Sequence, residues 1–262
     1  MKYHSDETEL QMVLEYVNDG RDARYLANKY GYKTHKSVLD KIRKHGYRTR
    51  SVSECKLVNK IHADFSMERI DSHFKAYLLG LLLTDGWIVR TTVGLDLTDE
   101  DAIKFISDII GIEYSTYERE APRKPRHRLR ITNIRVMEEM ARFGVVPHKS
   151  LTLQPPQLHD DEWKYLPYIV RGIIDGNGWV RNDGHEFYIC SGSIDFVRWV
   201  ESVLIDRLYM RDLHYKQNDN GIHFVRSSDE RNIAILKLLV YDRPYGMMRK
   251  YNKVYMGDLQ RL

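Results

Sequence analysis

The longest apolar run in the chain contains one internal glycine and ends in a polar pair followed by another glycine. Within Tyr77–Trp87 every position up to Leu83 is apolar except for that glycine, and Ile169–Trp179 repeats the spacing 92 residues later. Apolar residues on every face predict a helix that is buried all round, and Gly86 and Gly178 predict where each helix ends. A repeat at this separation is too long for a solenoid and predicts two related halves.

Each predicted helix carries a glycine in its interior, Gly80 in the first and Gly172 in the second. Glycine inside a helix costs about 0.5–1 kcal/mol relative to alanine, so we expect a compensating close approach between the two helix backbones. Asp85 then lies at the C-terminal end of its helix, where the macrodipole disfavours a carboxylate by about 0.3–1 kcal/mol. A divalent cation with oxygen ligands would offset that cost.

The polar and apolar positions outside these helices predict the same order of elements twice. The first half is predicted to contain hairpins over 88–98 (turning around Gly94) and 114–132 and helices over 99–110 and 134–143. The second half is predicted to contain helices over 162–176, 194–209 and 231–241 and hairpins over 179–190 and 213–226. The pattern predicts an α+β fold of two pseudo-symmetric αββαββα halves, residues 73–150 and 151–262, each with a four-stranded antiparallel sheet.

The pattern of polar and apolar residues over 5–50 predicts three short helices that precede the two halves. In the first of these helices, the inward-facing residues would be Leu10, Val13, Leu14 and Val17. The spacing of the three helices is that of a helix-turn-helix, so we predict a DNA-binding domain over 1–50 and a connector over 51–72. The third helix and the residues after it would offer polar and basic side chains to a major groove: Lys36, Ser37, Lys41, Lys44 and Arg48. The alternative is a small helical cap whose lysines are merely solvated.

Charge and cysteine content narrow the class of protein. The net charge of +4 is concentrated in residues 1–62, which hold 13 basic and 8 acidic residues, and this indicates a polyanionic partner. Two cysteines are too few for a disulfide framework and suit a reducing cytosol. The first residues show no apolar signal segment, and no apolar run is long enough to span a bilayer. We therefore expect a cytoplasmic protein of a bacterial or phage host cell, with an organelle as the alternative, and no membrane partner.

One predicted strand carries three arginines on the same face. Arg126, Arg128 and Arg130 alternate with apolar or aromatic positions, and residues 119–135 hold seven basic residues and one acidic residue. With no acidic strand expected beside it, this face would contact phosphates and guanines; the alternative is a solvated edge strand protected by its charge. The second half offers a sparser set of candidate DNA contacts: Arg181, His185, Tyr188, Lys216, His223 and Arg226.

The paired segments Leu78–Gly86 and Val170–Gly178 resemble the nine-residue signature of the LAGLIDADG homing endonucleases, at a spacing typical of single-chain members. The resemblance extends to Val145–Ser150 and Arg249–Lys253 and covers roughly residue 66 to the end. It implies that the two sheets form a saddle over the DNA major groove. It also implies a monomer that binds and cleaves a double-stranded DNA site of about 20 or more base pairs. Such cleavage would promote the mobility of an intron.

The resemblance also implies a metal centre. In that family the eighth motif position of each half carries an acid that, with an adjacent backbone carbonyl, holds a divalent metal. Here these groups are Asp85 with the Thr84 carbonyl, and Asn177 with the Gly176 carbonyl. The implied ion is Mg²⁺, or Mn²⁺ or Ca²⁺ in the same site.

Asn177 departs from the family pattern, because a neutral amide removes one negative charge from the site. Metal affinity should fall, and cleavage through that side should slow. Three explanations stay open: a member that binds without cutting, a member that nicks one strand, or a substitution introduced to trap an uncut complex. Asp175 lies two positions earlier on a different face of the helix, so we expect it to brace the helix end.

Basic residues often orient water or stabilise the scissile phosphate in such sites. Lys149 and Lys250 lie in the segments that resemble the family and are therefore candidate catalytic residues beside Asp85 and Asn177. The alternative for both is a surface lysine that touches phosphate or solvent. For the whole chain, the alternative to an endonuclease is a non-cleaving DNA-binding regulator or an intron-RNA maturase with an RNA partner.

Overall fold

The computed structural model describes residues 5–17, 21, 23–50 and 65–259. The chain divides into two compact units, Met1–Phe65 and Ser66–Leu262. Most of the predicted connector, residues 51–64, lies outside the described residues. The connector ends before residue 72, because the side chains of Met67 and Ile70 are buried. No helix within the described ranges is long and apolar enough to cross a membrane.

The described residues of the first unit contain three helices: α1 Asp6–Val17, α2 Ala23–Tyr30 and α3 His35–Lys44. The Thr34 hydroxyl accepts a hydrogen bond from the Ser37 N–H (3.3 Å) and so caps α3. The helices share one small core, formed by Met12, Val13, Tyr16, Ala23, Leu26, Ala27, Val38 and Ile42.

The buried face of α1 is the predicted one only in part. Val13 is fully buried as predicted, but Leu10, Leu14 and Val17 are exposed at 44%, 40% and 39%. Met12 and Tyr16, one turn apart, lie in the core beside Val13.

The second unit contains the two predicted halves. The first half consists of α4 His73–Thr84, β1 Gly86–Val89, β2 Thr92–Leu97, α5 Glu100–Ile110, β3 Ser115–Tyr117, β4 Arg126–Thr132 and α6 Ile134–Glu139, which continues as a 3₁₀ turn over Met140–Phe143. The second half consists of α7 Leu166–Asn177, β5 Gly178–Val180, β6 Phe187–Ser191, α8 Ile194–Asp206, β7 His214–Gln217, β8 His223–Ser227 and α9 Glu230–Ile235, which continues as a π turn over Leu236–Val240. A further helix, α10 Met248–Leu259, follows and was not predicted.

The two sheets have the same topology. Their strand orders are β1-β2-β4-β3 and β5-β6-β8-β7, and every pairing is antiparallel. The α+β fold with two αββαββα halves is therefore confirmed.

Helices α4 and α7 pack backbone to backbone at their internal glycines. A Cβ placed on Gly80 would lie 2.2 Å from the carbonyl oxygen of Ile169, and one on Gly172 would lie 2.2 Å from that of Tyr77. This confirms the close approach expected from the two glycines. Because β1 begins directly after α4 and β5 directly after α7, both sheets start from the same helix pair.

The first hairpin turns at residues 90–91 rather than at Gly94. Gly94 lies inside β2 opposite Trp87, and a Cβ there would come within 2.1 Å of Cζ2 of the Trp87 indole. The glycine is required because the Trp87 ring covers it, so the predicted turn position was wrong.

A buried carboxylate ties the start of the second unit to both halves. Glu162 is fully buried, and it accepts hydrogen bonds from Arg142 (2.7 and 3.0 Å), the Ile70 N–H (2.7 Å) and the His159 N–H (2.8 Å). Burial alone would raise the pKa of Glu162, but these donors outweigh it and lower the pKa to about 2.

We expect Glu162→Gln to lower the free energy of unfolding by about 3 kcal/mol at pH 7. The folded pKa of Glu162 lies below its unfolded value, so its stabilisation is complete above about pH 4.5 and is lost as the pH falls toward 2. Urea denaturation at pH 7 and pH 3 should therefore show a gap between the proteins that narrows in acid. Glu138→Gln, at an exposed site, is the control, and a gap that stays constant with pH would contradict this role of Glu162.

Candidate metal centre and nucleic-acid interface

The C-terminal ends of α4 and α7 meet at one site. Asp85 caps α4, and Asn177 is the last residue of α7. A Cβ on Gly176 would lie 1.9 Å from Oγ1 of Thr84 and 2.9 Å from Oδ2 of Asp85, so this glycine lets the Asp85 carboxylate approach the backbone of the other half. A cleft of about 160 Å³ beside it is lined in part by Thr84, Lys149 and Asn177. The structure thus brings together all four residues predicted for the metal.

Both candidate lysines are buried at this site, Lys149 with 5% and Lys250 with 4% of its surface exposed. The alternative of surface lysines is therefore wrong. Lys149 Nζ donates to the Thr84 carbonyl (3.3 Å) at the end of α4. Burial lowers the pKa of both ammonium groups to about 8; the Asp85 carboxylate opposes this effect at Lys149, and the Asp175 carboxylate opposes it most at Lys250.

The two lysines differ in how many of their ammonium N–H groups are available to a substrate. Lys250 Nζ donates to the carbonyls of Ile174 (2.6 Å), Asp175 (2.7 Å) and Gly178 (2.7 Å). An ammonium has three N–H groups, so Lys250 is saturated and acts as a fixed cation at the end of α7. This does not fit its predicted catalytic role. Lys149 makes one hydrogen bond to the described residues, which leaves two N–H groups beside Asp85.

The charge balance of the site favours an anion. Burial raises the pKa of Asp85, while Lys250, Lys149 and Arg126 lower it. No group of three or more His, Cys, Asp or Glu side chains suited to a metal occurs among the described residues. The Asp85 carboxylate, the Gly176 backbone and the Asn177 amide fit one hard cation on the Asp85 side. The Asn177 side has no carboxylate of its own, and Lys250 places a positive charge there by donating to the carbonyls of Ile174, Asp175 and Gly178.

Asp175 braces the end of α7, as expected, and is not part of the metal site. Its buried carboxylate accepts hydrogen bonds from the hydroxyls of Tyr77 (2.9 Å) and Tyr241 (2.7 Å) and from the Met247 N–H (3.3 Å). These contacts hold the segment that leads into α10, and α10 carries Lys250.

Arg171 supports the same segment and was missed at the level of sequence. It is fully buried within the apolar α7, donates to the carbonyls of Arg243 and Tyr245, and lies 3.6 Å from the centroid of the Tyr245 ring. A charged residue inside an otherwise apolar helix was the available signal, since such a group is buried only with partners.

The first sheet presents the predicted arginine face. Arg126 and Arg130 are exposed and Arg128 is half-buried, while the residues between them are buried. The expectation that no acidic strand lies beside them is wrong, because Asp96 on β2 pairs with Arg128. The Arg128 guanidinium binds the Asp96 carboxylate through Nε (2.7 Å) and Nη2 (2.6 Å), which leaves Arg126 and Arg130 as the more available cations.

The second sheet presents Tyr188, Lys216 and Arg226 on the corresponding face. His223 lies on the opposite face and does not fit its predicted DNA contact. It is buried, shares the orientation of Val225, and forms a hydrogen bond with the Tyr215 hydroxyl (2.7 Å). Arg181 pairs with Asp183 (2.6 Å) and Glu186 (3.4 Å), and His185 is half-buried in the same turn.

The candidate recognition helix α3 exposes Lys36 and Lys44, and Arg48 is exposed just beyond it. Ser37 is half-buried and shares a hydrogen bond with the Thr34 hydroxyl (3.1 Å). Lys41 forms an ion pair with Glu9 of α1, so its charge is largely neutralised inside the unit.

Cys190 is a contact at the central site that no spacing in the sequence indicated. Its thiol is half-buried on β6 and donates to the backbone carbonyl of Asn177 (3.1 Å). This contact joins the second sheet directly to the end of α7.

Comparison with known proteins yields structural likeness and little sequence likeness. No protein-family model matches the chain. Among curated proteins, the DNA-directed RNA polymerase subunit Rpo1C of Methanocaldococcus jannaschii is 21% identical over 154 residues, which cover 56% of this chain. The match spans only 18% of that protein's length, so its activity is not carried over.

Three solved structures illustrate the structural likeness. Full-length WhiA from Thermatoga maritima has a TM-score of 0.49 at 12% identity, covering 75% of this chain and 65% of that one. The I-LtrWI LAGLIDADG homing endonuclease bound to target DNA has a TM-score of 0.46 at 9% identity, covering 74% and 92%. I-DmoI in complex with DNA and Mn has a TM-score of 0.41 at 14% identity, covering 64% and 96%. At such identities and TM-scores the likeness concerns the arrangement of helices and strands, and nothing about activity, substrate or partner follows from it.

Proposed function

We propose that this protein binds one long site in double-stranded DNA and hydrolyses a single strand, the one served by Asp85. The observation that carries the proposal is the unequal pair of helix ends. One end has a carboxylate, with Lys149 keeping two N–H groups beside it. The other has a neutral Asn177, with Lys250 saturated by backbone carbonyls.

Asp85, Lys149 and Asn177 would have different roles in this cleavage. Mg²⁺, when bound, supplies an activated water and neutralises charge on the leaving oxygen. Asp85 would hold it together with the Gly176 carbonyl and the Asn177 amide. Lys149 would donate to the scissile phosphate and position it in the cleft. Asn177 adds no charge on its side, so the second strand stays intact.

The sheets would supply the binding surface. Arg126, Arg130, Lys216 and Arg226 are exposed on the two sheet faces and suit phosphate and base contacts in the major groove. One chain contains both halves, so we propose that a monomer covers about 20 base pairs or more, about two turns of duplex. The first unit would extend the site at one end through α3.

Selection of bound duplexes from a random library tests the binding part of the proposal. We expect one enriched site of about 20 base pairs with weak dyad character and an added patch at one end for α3. Random sequence at both ends would contradict the role of the first unit. Enrichment of RNA without duplex DNA would favour an intron-RNA maturase.

A plasmid assay tests the cleavage part. On a supercoiled plasmid that carries the selected site, with Mg²⁺, we expect the wild-type protein to give nicked circles. Asp85→Asn should slow nicking by at least about 100-fold, since even partners of metal ligands are worth 10–100-fold, and should keep DNA binding. Asp219→Asn, in the exposed turn between β7 and β8, makes the same charge change and should leave nicking unaltered. Nicking that survives Asp85→Asn would contradict the proposed site.

The second candidate function is a DNA-binding regulator that does not cleave. The charges of the site favour it, because Lys149, Lys250 and Arg126 act on the single carboxylate of Asp85, and these cations would also suit a DNA phosphate that is bound without being cleaved. A wild-type protein that binds the selected site and leaves the plasmid supercoiled at every Mg²⁺ concentration would establish this function instead.

A further inference from the structure

The two sheets share one register, so their DNA-facing positions can be paired. Trp87 lies opposite Gly94, and Gly94 lies opposite Arg130. In the second sheet Trp179 lies opposite Tyr188, which lies opposite Arg226. The next row toward the central site is Asp96 with Arg128 in the first sheet, and Cys190 with Phe224 in the second. Both sheets therefore have a tryptophan (Trp87 or Trp179) and an arginine (Arg130 or Arg226) at corresponding positions, and they differ at the other positions of these two rows.

In the first sheet these positions form a charged row. The indole of Trp87 covers Gly94 and donates through Nε1 to Asp96 (3.2 Å). Asp96 is bound by the Arg128 guanidinium (2.6 Å), which in turn lies 4.8 Å from the centroid of the Tyr117 ring. This face therefore offers an acid–base pair beside the rings of Trp87 and Tyr117.

In the second sheet the same positions form an aromatic row, defined as Trp179, Tyr188 and Phe224. Tyr188 occupies the position of Gly94, and Trp179 stacks on it with centroids 5.3 Å apart and planes 17° apart. Phe224 meets Tyr188 edge to face at 5.6 Å. All three are partly exposed, and Cys190 uses its thiol on the Asn177 carbonyl. Cys190 and Phe224 take the place of the Asp96–Arg128 pair, and the exposed Lys216 of β7 lies beside the row, opposite Phe224.

We propose that the aromatic row recognises thymine C5 methyl groups in the major groove next to the cleavage centre, while the first sheet recognises hydrogen-bonding base edges. This rests on the proposed DNA binding. In the major groove thymine is distinguished by its methyl group, which apolar side chains contact, whereas arginine pairs with guanine. The selected site should therefore be asymmetric, thymine-rich beside the centre in one half and guanine-containing in the other.

Deoxyuridine tests this, because it differs from thymine only by the missing methyl group. Starting from the selected duplex, thymines are replaced by deoxyuridine in one half-site at a time, and affinity is measured at constant salt. We expect a loss of about fourfold for each central methyl removed in the thymine-rich half, from the value of one buried apolar carbon. Replacement in the other half should leave the affinity unchanged.

A variant made from the chain's own first sheet serves as the matched control. Cys190→Asp combined with Phe224→Arg places the Asp96–Arg128 pair in the second sheet and removes one ring of the aromatic row, so its affinity should depend less on the methyl groups than that of the wild-type protein. Equal affinity of the wild-type protein for thymine and deoxyuridine duplexes in both halves would overturn the inference and leave the proposed function intact. Failure of the initial selection to enrich any duplex would instead overturn the proposed function.

Discussion

Asn177→Asp is expected to convert the nicking activity into double-strand cleavage. Asn177 ends α7 in the position that Asp85 occupies at the end of α4, so the substitution gives each helix end one carboxylate. It also balances the two buried lysines, Lys149 and Lys250, with two negative charges. Oxygen ligands with negative charge raise the affinity of a site for a hard cation, and loss of a mere supporting group at such sites costs 10–100-fold. The second-strand rate should therefore rise by about 100-fold or more.

The measurement is the appearance of linear plasmid after nicked circles, over time, at several Mg²⁺ concentrations. Asn182→Asp is the matched control, because it makes the same chemical change at an exposed turn of the same half and should yield nicked circles only. If Asn177→Asp still gives only nicked circles although it binds the site, the saturated Lys250 rather than the missing acid disables the second side. If Asn182→Asp also gives linear plasmid, the added negative charge acts regardless of its position, and the special role of position 177 is contradicted.

Sequence predicted the central helix pair well because its signals are local. Repeated glycines inside apolar segments have one common physical reason, a close backbone contact, and Gly80 and Gly172 meet as expected. Strand alternation likewise placed Arg126 and Arg130 on one exposed face. In both cases the period of the pattern determines which side chains share a surface.

Side chains whose partners lie far along the chain could not be placed in the same way. Gly94 resembles a turn glycine until the Trp87 ring is seen to cover it. Lys149 and Lys250 are ordinary lysines in sequence, and their burial follows from carbonyls at the helix ends, 65 and 72–76 positions away. His223 and Arg226 were both predicted as DNA contacts, but they lie three positions apart in β8, and side chains an odd number of positions apart in a strand point to opposite faces.

The same distinction explains why the difference between the two sheets became visible only in the structure. The repeat at 92 residues indicates equivalence and shows Asn177 in place of an acid, and the sheet registers then show which equivalent sheet positions differ. Asp96 and Arg128 are separated by 32 positions and have no common motif, so neither their pairing nor its replacement by Cys190 and Phe224 could be inferred from spacing. The difference between the sheets therefore lies in cross-strand pairs, whereas the difference between the helix ends lies in the repeat itself.

Gly80→Ala is expected to unfold the second unit or to cost it about 3–5 kcal/mol, a large part of the about 5–15 kcal/mol stability of an ordinary domain. In a free helix the change would be favourable by about 0.5–1 kcal/mol. Here the new methyl would lie 2.2 Å from the Ile169 carbonyl oxygen and 2.7 Å from Cα of Gly172. Both neighbours are backbone atoms, so the clash is relieved only if the two helices separate, and their separation would also part Asp85 from Asn177.

Circular dichroism with urea denaturation measures the loss of stability, and binding of the selected duplex should fall with it. Gly221→Ala, at an exposed turn with its nearest neighbour 3.9 Å away, should cost only about 1–2 kcal/mol for its left-handed backbone. A Gly80→Ala protein as stable as the wild type would show that the helix pair is not held by this contact, and the shared site at its ends would lose its physical basis.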